Sequence, residues 1–214
     1  MTTILMVRHG ESEANRMGIF AGNFDADLQN RGVKQAETTA EFIANTYKVD
    51  KIYASDLKRA FKTGKAIGDR LGLDVEPDRR LREISAGEWE GMTFNELGEK
   101  YKEAYSVWMT DVGNARCTGG ESTRELGARV LAAITDIAEA NEGKTVVVAT
   151  HATPVRVMQV YTQGGGDFNV MKDIKWVSNA SVSEFIYENG KFTCGKISQD
   201  AHLGDLLTSL PANV

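Results

Sequence analysis

Two histidines and two arginines stand where an α/β chain presents reacting groups. Arg8-His9-Gly10 follows the apolar run Ile4-Leu5-Met6-Val7, and His151 follows a second run, Thr145 to Thr150. A histidine at the exit of a buried strand adds little to a core. Beside an arginine it suits an anion, because guanidinium is a planar, permanently charged fork for phosphate oxygens. A neutral imidazole attacks phosphorus with one ring nitrogen when an acceptor holds the other. Arg59 falls in the first turn of a helix after a third strand exit, at Ser55. His151 lies just ahead of a helix start, where free backbone N–H groups attract anions. Singly these signals are weak: a lone Arg-His-Gly arises often by chance, and an isolated arginine is usually a solvated helix charge. Their joint placement on one rim implies phosphoryl transfer, with His9 as nucleophile.

The elements that must position these groups follow from hydrophobic periodicity. Ile4 to Val7, Lys51 to Ala54 and Thr145 to Thr150 read as buried strands, and Leu73 to Glu76 as a weak one closed by Pro77. Val33, Ala36, Ala40, Ile43 and Tyr47 recur at helical spacing, which predicts a helix from Asn30 to about Tyr47. Ser55 or Asp56 is expected to cap a helix carrying Leu57, Phe61, Gly64, Ile67 and Leu71, and Gly72 to end it. Thr93-Phe94-Asn95-Glu96 and Ser122-Thr123-Arg124-Glu125 have the form of capping boxes. The first is expected to place Phe94, Leu97, Tyr101, Tyr105 and Trp108 on one helical face, and the second opens a helix that stops near Gly143. Thr153-Pro154 predicts an N-cap followed by proline at the first helical position. Ser181 to Tyr187 and Phe192 to Ile197 alternate as strands, joined by an Asn189-Gly190 turn.

Strand–helix alternation predicts a three-layer α/β/α sandwich with a mostly parallel sheet and one antiparallel strand. Ligands of such sheets sit beyond the carboxyl ends of the strands, where His9 and His151 fall. The reading is a single domain, 1–214, with a helical insertion at about 91–120 over the site. The chain has 214 residues, 25 basic against 30 acidic, and a net charge of -5. That balance argues against nucleic acid or an anionic membrane as partner, and permits a small anionic substrate in a locally positive cleft. Cys117 and Cys194 allow one disulfide but read better as free thiols of a reducing compartment. No secretory signal or transmembrane stretch is visible, so a cytoplasmic enzyme is expected. An exposed edge strand is compatible with a homodimer.

The motifs then become specific. Leu5-Met6-Val7-Arg8-His9-Gly10-Glu11-Ser12-Glu13-Ala14-Asn15 resembles the opening of the histidine phosphatase superfamily, which includes the cofactor-dependent phosphoglycerate mutases. The stretch Gly22 to Leu28 with Arg31-Gly32 and Gln35-Ala36 follows in the family's order. Ser55 to Ala60 with Thr63, Leu81-Arg82-Glu83-Ile84, Gly87 to Gly91, Gly119 to Ser122 and Val147 to His151 come next. The likeness runs over about residues 4 to 187. It implies that His9 becomes phosphorylated and that Arg8, Arg59 and His151 complete the phosphate pocket. It also implies Glu83 as proton donor, with Asn15, Gly22 and Asn23 near the substrate. Where the family usually has glycine after the second histidine, this chain has Ala152, whose methyl group is expected to disturb fine geometry only.

Chemistry fits those implied roles. Charge stabilisation on the transferred group dominates phosphoryl transfer, and a basic leaving alkoxide needs a proton as it departs. No metal or other cofactor is required, and no metal-ligand cluster is visible. His202 reads as a surface residue. The superfamily divides between hydrolases and mutases. A mutase must exclude water and hold its intermediate, and this family's mutases carry a longer insertion with paired arginines. Here 91–120 is short, and Arg116 stands alone. The expectation is therefore a metal-independent phosphomonoesterase acting on a small phosphorylated metabolite. Phosphoglycerate mutase and a catalytically silent binding module are the alternatives. Aromatic crowding in the insertion suggests a partly apolar or ring-bearing ester, although burial against the sheet is the ordinary role of such residues.

Overall fold

The computed structural model describes residues 1–208; residues 209–214, the end of the expected 1–214 domain, lie outside the described residues. In chain order the elements are β1 (Thr2–Arg8), α1 (Glu13–Met17), α2 (Asn30–Thr46), β2 (Lys51–Ala54), α3 (Lys58–Leu71) and β3 (Val75–Pro77). They continue with α4 (Phe94–Lys100), α5 (Lys102–Thr110), α6 (Thr123–Ala140), β4 (Thr145–Thr150), α7 (Ala152–Gln163), β5 (Val182–Glu188) and β6 (Lys191–Cys194). The sheet order is β3-β2-β4-β1-β5-β6. Pairings are parallel from β3 through β1, while β5 lies antiparallel to both of its neighbours. One strand, β5, therefore opposes the other five, as expected.

Alternation along the strands sends side chains to two cores. Ile4, Met6, Val146 and Val148 pack under the later helices with Leu126, Val130, Ile134, Val155 and Met158. Leu5, Val7, Ile52 and Val147 pack on the opposite face against Ala40, Ile43 and Ile67 from α2 and α3. Each such aliphatic side chain contributes about 1.5–3 kcal/mol on burial. Helices cover both faces, giving the three layers. Among the described residues no helix is long and apolar enough to cross a membrane.

Both capping boxes form, Ser122 with Glu125 and Thr93 with Glu96. Gly72 ends α3 in the left-handed region, and Asn189 and Gly190 take positive φ in the β5–β6 turn. Four local expectations are corrected. Neither Ser55 nor Asp56 caps α3; Leu57 occupies that position, and the Ser55 hydroxyl is engaged elsewhere. The N-cap of α7 is His151, so Pro154 is its third residue rather than its first. The 94–108 stretch is two helices, broken at Tyr101, whose backbone is non-helical. Tyr101, Tyr105 and Trp108 nevertheless all pack near Trp89, and Phe94 and Trp108 also approach Phe20. His202 is half-buried, stacked on Phe42 with ring centroids 4.4 Å apart and its Nε2 2.9 Å from Thr39 Oγ1. Cys117 and Cys194 are free.

Candidate active site

The centre of the sheet brings three strand exits side by side. In the order β2-β4-β1, the residues just past the strands are Ser55, His151 and His9. The registers lock them together: His9 N–H donates to Thr150 O at 2.9 Å and Ser55 N–H to Ala149 O at 2.9 Å. The His9 and His151 rings meet edge to face, with centroids 5.2 Å apart.

The tautomer of His9 follows from its two neighbours. Nδ1 lies 2.7 Å from the Gly10 carbonyl, which can only accept, so Nδ1 carries the proton. Nε2 receives the Arg59 Nε–H at 3.2 Å, and a guanidinium can only donate. The lone pair is therefore on Nε2, beside a cation. Burial, then the charges of Arg59 and Arg8, hold this imidazole well below its ordinary range, so it is neutral at physiological pH.

Arg59 is buried on the first turn of α3, where its Nη atoms donate to Phe24 O at 2.9 Å and Gly22 O at 2.8 Å. Gly22 adopts φ +49, and a Cβ there would lie 2.6 Å from that of Ala86. Only glycine turns its carbonyl to this cation without displacing that neighbour. Arg8, also buried, donates to Val177 O at 2.6 Å and leaves its Nε unpaired. Desolvation pulls both guanidinium groups down to about 10, which leaves them charged at neutral pH.

Glu83 sits across from these cations on a segment without regular secondary structure. Its Oε1 accepts from Ile84 N–H at 2.9 Å, and its Oε2 from Thr153 N–H at 3.2 Å, in the first turn of α7. The segment itself is held by Arg129 of α6, which donates to the carbonyls of Arg80, Arg82 and Glu83 at 2.8, 3.1 and 3.2 Å. Arg129 also pairs bidentately with Glu121, whose other contact is Ser85 N–H at 2.8 Å. The His9 imidazole, two guanidinium groups and the Glu83 carboxyl thus line one cavity.

The family model for the histidine phosphatase superfamily (branch 1) matches residues 4–200. The chain belongs to this superfamily. Phosphoserine phosphatase 1 of Hydrogenobacter thermophilus is 33% identical over 206 residues, covering 96% of each chain. Among solved structures, the Bacillus stearothermophilus protein YhfR superposes with a TM-score of 0.89 at 24% identity, covering 95% of this chain and 100% of that one, a likeness of fold. A mycobacterial glucosyl-3-phosphoglycerate phosphatase complexed with VO3 superposes with a TM-score of 0.83 at 26% identity, covering 92% and 98%. This histidine phosphatase is accordingly a phosphomonoesterase of small phosphorylated metabolites.

The phosphatase's cavity is lined by Arg8, His9, Asn15, Gly22, Arg59 and Glu83, all expected from the sequence. His151 lies fully buried beside His9. Asn15 spends its side-chain oxygen on the Ser12 N–H and hydroxyl, both at 3.0 Å, closing the turn that opens α1. Asn23 and His151 are the two expected residues that do not line the cavity. For Asn23 the reason is local. Its N–H is tied to Glu90 at 3.1 Å, and it lines a neighbouring groove with Arg79, Arg82 and Arg129. Ala152, which replaces the family's usual glycine, sits on the lining as the first residue of α7. The remaining wall is apolar, with Ile19, Phe20, Ile84, Phe94, Trp108 and Trp176. Arg116 points elsewhere, paired with Glu125 at 2.5 Å. Sequence reasoning missed the contact of Ser55 with His151, the role of Arg129, and Trp176 on the lining. It also missed Asn179, whose amide donates to His9 O at 3.1 Å and Asn15 Oδ1 at 3.3 Å.

Proposed function

We propose that this phosphatase works through a phosphohistidine on Nε2 of His9, with Glu83 as proton donor. The observation that carries the reading is the hydrogen bonding of His9, which leaves an unprotonated Nε2 beside Arg59. In the first step the Nε2 lone pair forms a bond to phosphorus while the P–O ester bond breaks. The departing oxygen takes the carboxyl proton of Glu83. In the second step the Glu83 carboxylate accepts a proton from water. The water oxygen attacks phosphorus, the P–N bond breaks, and Nε2 recovers its lone pair as phosphate leaves. Arg8, Arg59 and His151 surround the transferred group and stabilise charge on its equatorial oxygens.

The substrate end of the cavity favours an apolar or ring-bearing ester. Both lining arginines, Arg8 and Arg59, sit at the phosphate end, and the rest of the lining holds no further lysine or arginine for a carboxylate. Trp176 lies face-on to the buried Arg156 guanidinium, 3.9 Å from its ring centroid, which fixes one wall as a flat surface. Phosphoserine and phosphoglycerate, small acids, fit this lining less well than an aryl phosphate. Quenching the enzyme during turnover of a ³²P-labelled ester should leave acid-labile, base-stable label on His9 and none on a His9→Ala variant. A fully active enzyme that never carries such label would overturn the mechanism.

A further inference from the structure

Behind the nucleophile lies a serine that the mechanism above does not use. Ser55 is fully buried at the exit of β2, with its Oγ 2.8 Å from His151 Nε2. The same oxygen receives the Leu57 N–H at 3.4 Å. These are its two hydrogen-bond partners among the described residues. Leu57 N–H can only donate, so the hydroxyl proton has one acceptor available, the imidazole nitrogen. His151 Nδ1, by contrast, is buried without a partner.

Resting on the phosphatase reading, we propose that Ser55 is a positioning residue. It donates to His151 Nε2 and so fixes the Nδ1–H tautomer, leaving that N–H for an oxygen of the transferred phosphoryl group. The alternative tautomer would carry its proton toward Ser55 and turn a lone pair on the anion, a repulsive contact. A cationic imidazole would satisfy both sides. However, burial together with Arg59, His9, Arg129 and Arg8 holds His151 well below its ordinary range and keeps the ring neutral. A neutral histidine donates one proton only, so which nitrogen holds it decides whether the group assists or opposes transfer. This also accounts for a hydroxyl at a position where the local sequence suggests only a helix cap.

The deciding measurement is ¹⁵N NMR of the His151 ring in the wild-type enzyme at neutral pH. A protonated Nδ1 and an unprotonated, hydrogen-bonded Nε2 are expected. A protonated Nε2 overturns the proposal, whatever the activity. Kinetics supply the second readout. Losing one donor to a developing charge costs about 10²–10³ in rate, and Ser55→Ala leaves part of the population in the productive tautomer, so roughly a tenfold fall in kcat/KM is expected. Inhibition by orthovanadate should weaken by a similar factor. In a His151→Ala background the serine substitution should change kcat/KM less than about twofold, because its effect runs through the ring. An equal loss in both backgrounds would assign Ser55 a merely structural role. Should Ser55→Ala fail to fold, the wild-type spectrum still decides. An inactive enzyme with protonated Nδ1 would remove the phosphatase reading and leave the tautomer assignment standing.

Discussion

Replacing Glu83 by glutamine separates the proton-donor role from simple charge balance. The carboxylate has an oxygen for each of two backbone donors, Ile84 N–H at 2.9 Å and Thr153 N–H at 3.2 Å. Glutamine has one oxygen and an NH₂, so one of those donors loses its acceptor and faces another N–H. An unsatisfied donor of this kind costs about 1–3 kcal/mol. For a chain of this size each kcal/mol moves the midpoint by about 2–4 °C, so Glu83→Gln should melt roughly 2–10 °C lower and still fold. Loss of general-acid catalysis removes about 10²–10⁴ from kcat/KM for an alkyl phosphate, or about 3–5 kcal/mol of barrier. An aryl phosphate releases a much weaker base, which departs without a proton, so its kcat/KM should fall about tenfold or less. Water attack in the second step still needs the carboxylate. Stopped-flow assays on the aryl ester should therefore show a burst of about one phenol per active site followed by slow turnover. Equal losses in kcat/KM for alkyl and aryl esters, with no burst, would refute the assignment of Glu83 as the acid.

Two further outcomes follow from the site's walls and its buried rings. In a phosphoester panel, kcat/KM for aryl or other ring-bearing esters should exceed that for phosphoserine and phosphoglycerate. Trp176→Ala should raise KM for the aryl ester about 3- to 10-fold, as expected for a lost aromatic contact; a wild-type preference for the small acids would sink this reading. Mild acid should destabilise the fold through its buried rings. His9 and His151 are buried and neutral, held below their ordinary range by burial and by neighbouring cations. In the unfolded chain each takes up a proton near pH 6.5, so below that value the unfolded state binds more protons and stability falls with pH. By pH 5.5 each ring accounts for about 1.4 kcal/mol, roughly 3 kcal/mol together. Urea midpoints that stay level between pH 7.5 and 5.5 would contradict the neutral-ring geometry.

What was legible in the chain was what local chemistry encodes. The capping boxes at Ser122 and Thr93, the glycine stop at Gly72 and the Asn189-Gly190 turn depend on residues within a few positions of one another, and each formed as expected. Arg8, His9 and His151 were legible because each stands at or just past a strand end, and Arg59 because it stands in the first turn of the helix that follows one. Glu83 was legible only through resemblance, since its segment has no periodicity to read. Arg129 left no local signal: its acceptors are backbone carbonyls 46 to 49 residues earlier in the chain. Ser55 was misread for a related reason. A serine ahead of a helix is ordinarily an N-cap, and its actual partner is 96 residues away, brought beside it by the β2–β4 register.

The same register explains why the pocket needs so little of its own architecture. With β4 between β2 and β1, one residue past each strand end is enough to line up Ser55, His151 and His9 across the sheet. In the proposed mechanism Ser55 fixes the proton on His151, and His151 and His9 face the anion. Gly10 O holds the His9 Nδ1 proton, which leaves Nε2 unprotonated, and Arg59 donates its Nε–H to that lone pair. Burial makes both rings neutral, and neutrality makes their tautomers matter. A more exposed site with the same four side chains would let the histidines protonate, silencing the nucleophile at His9 while strengthening the cradle. In the proposed mechanism burial resolves that conflict in favour of attack, and leaves the permanent positive charge to the two arginines, which remain protonated even when desolvated.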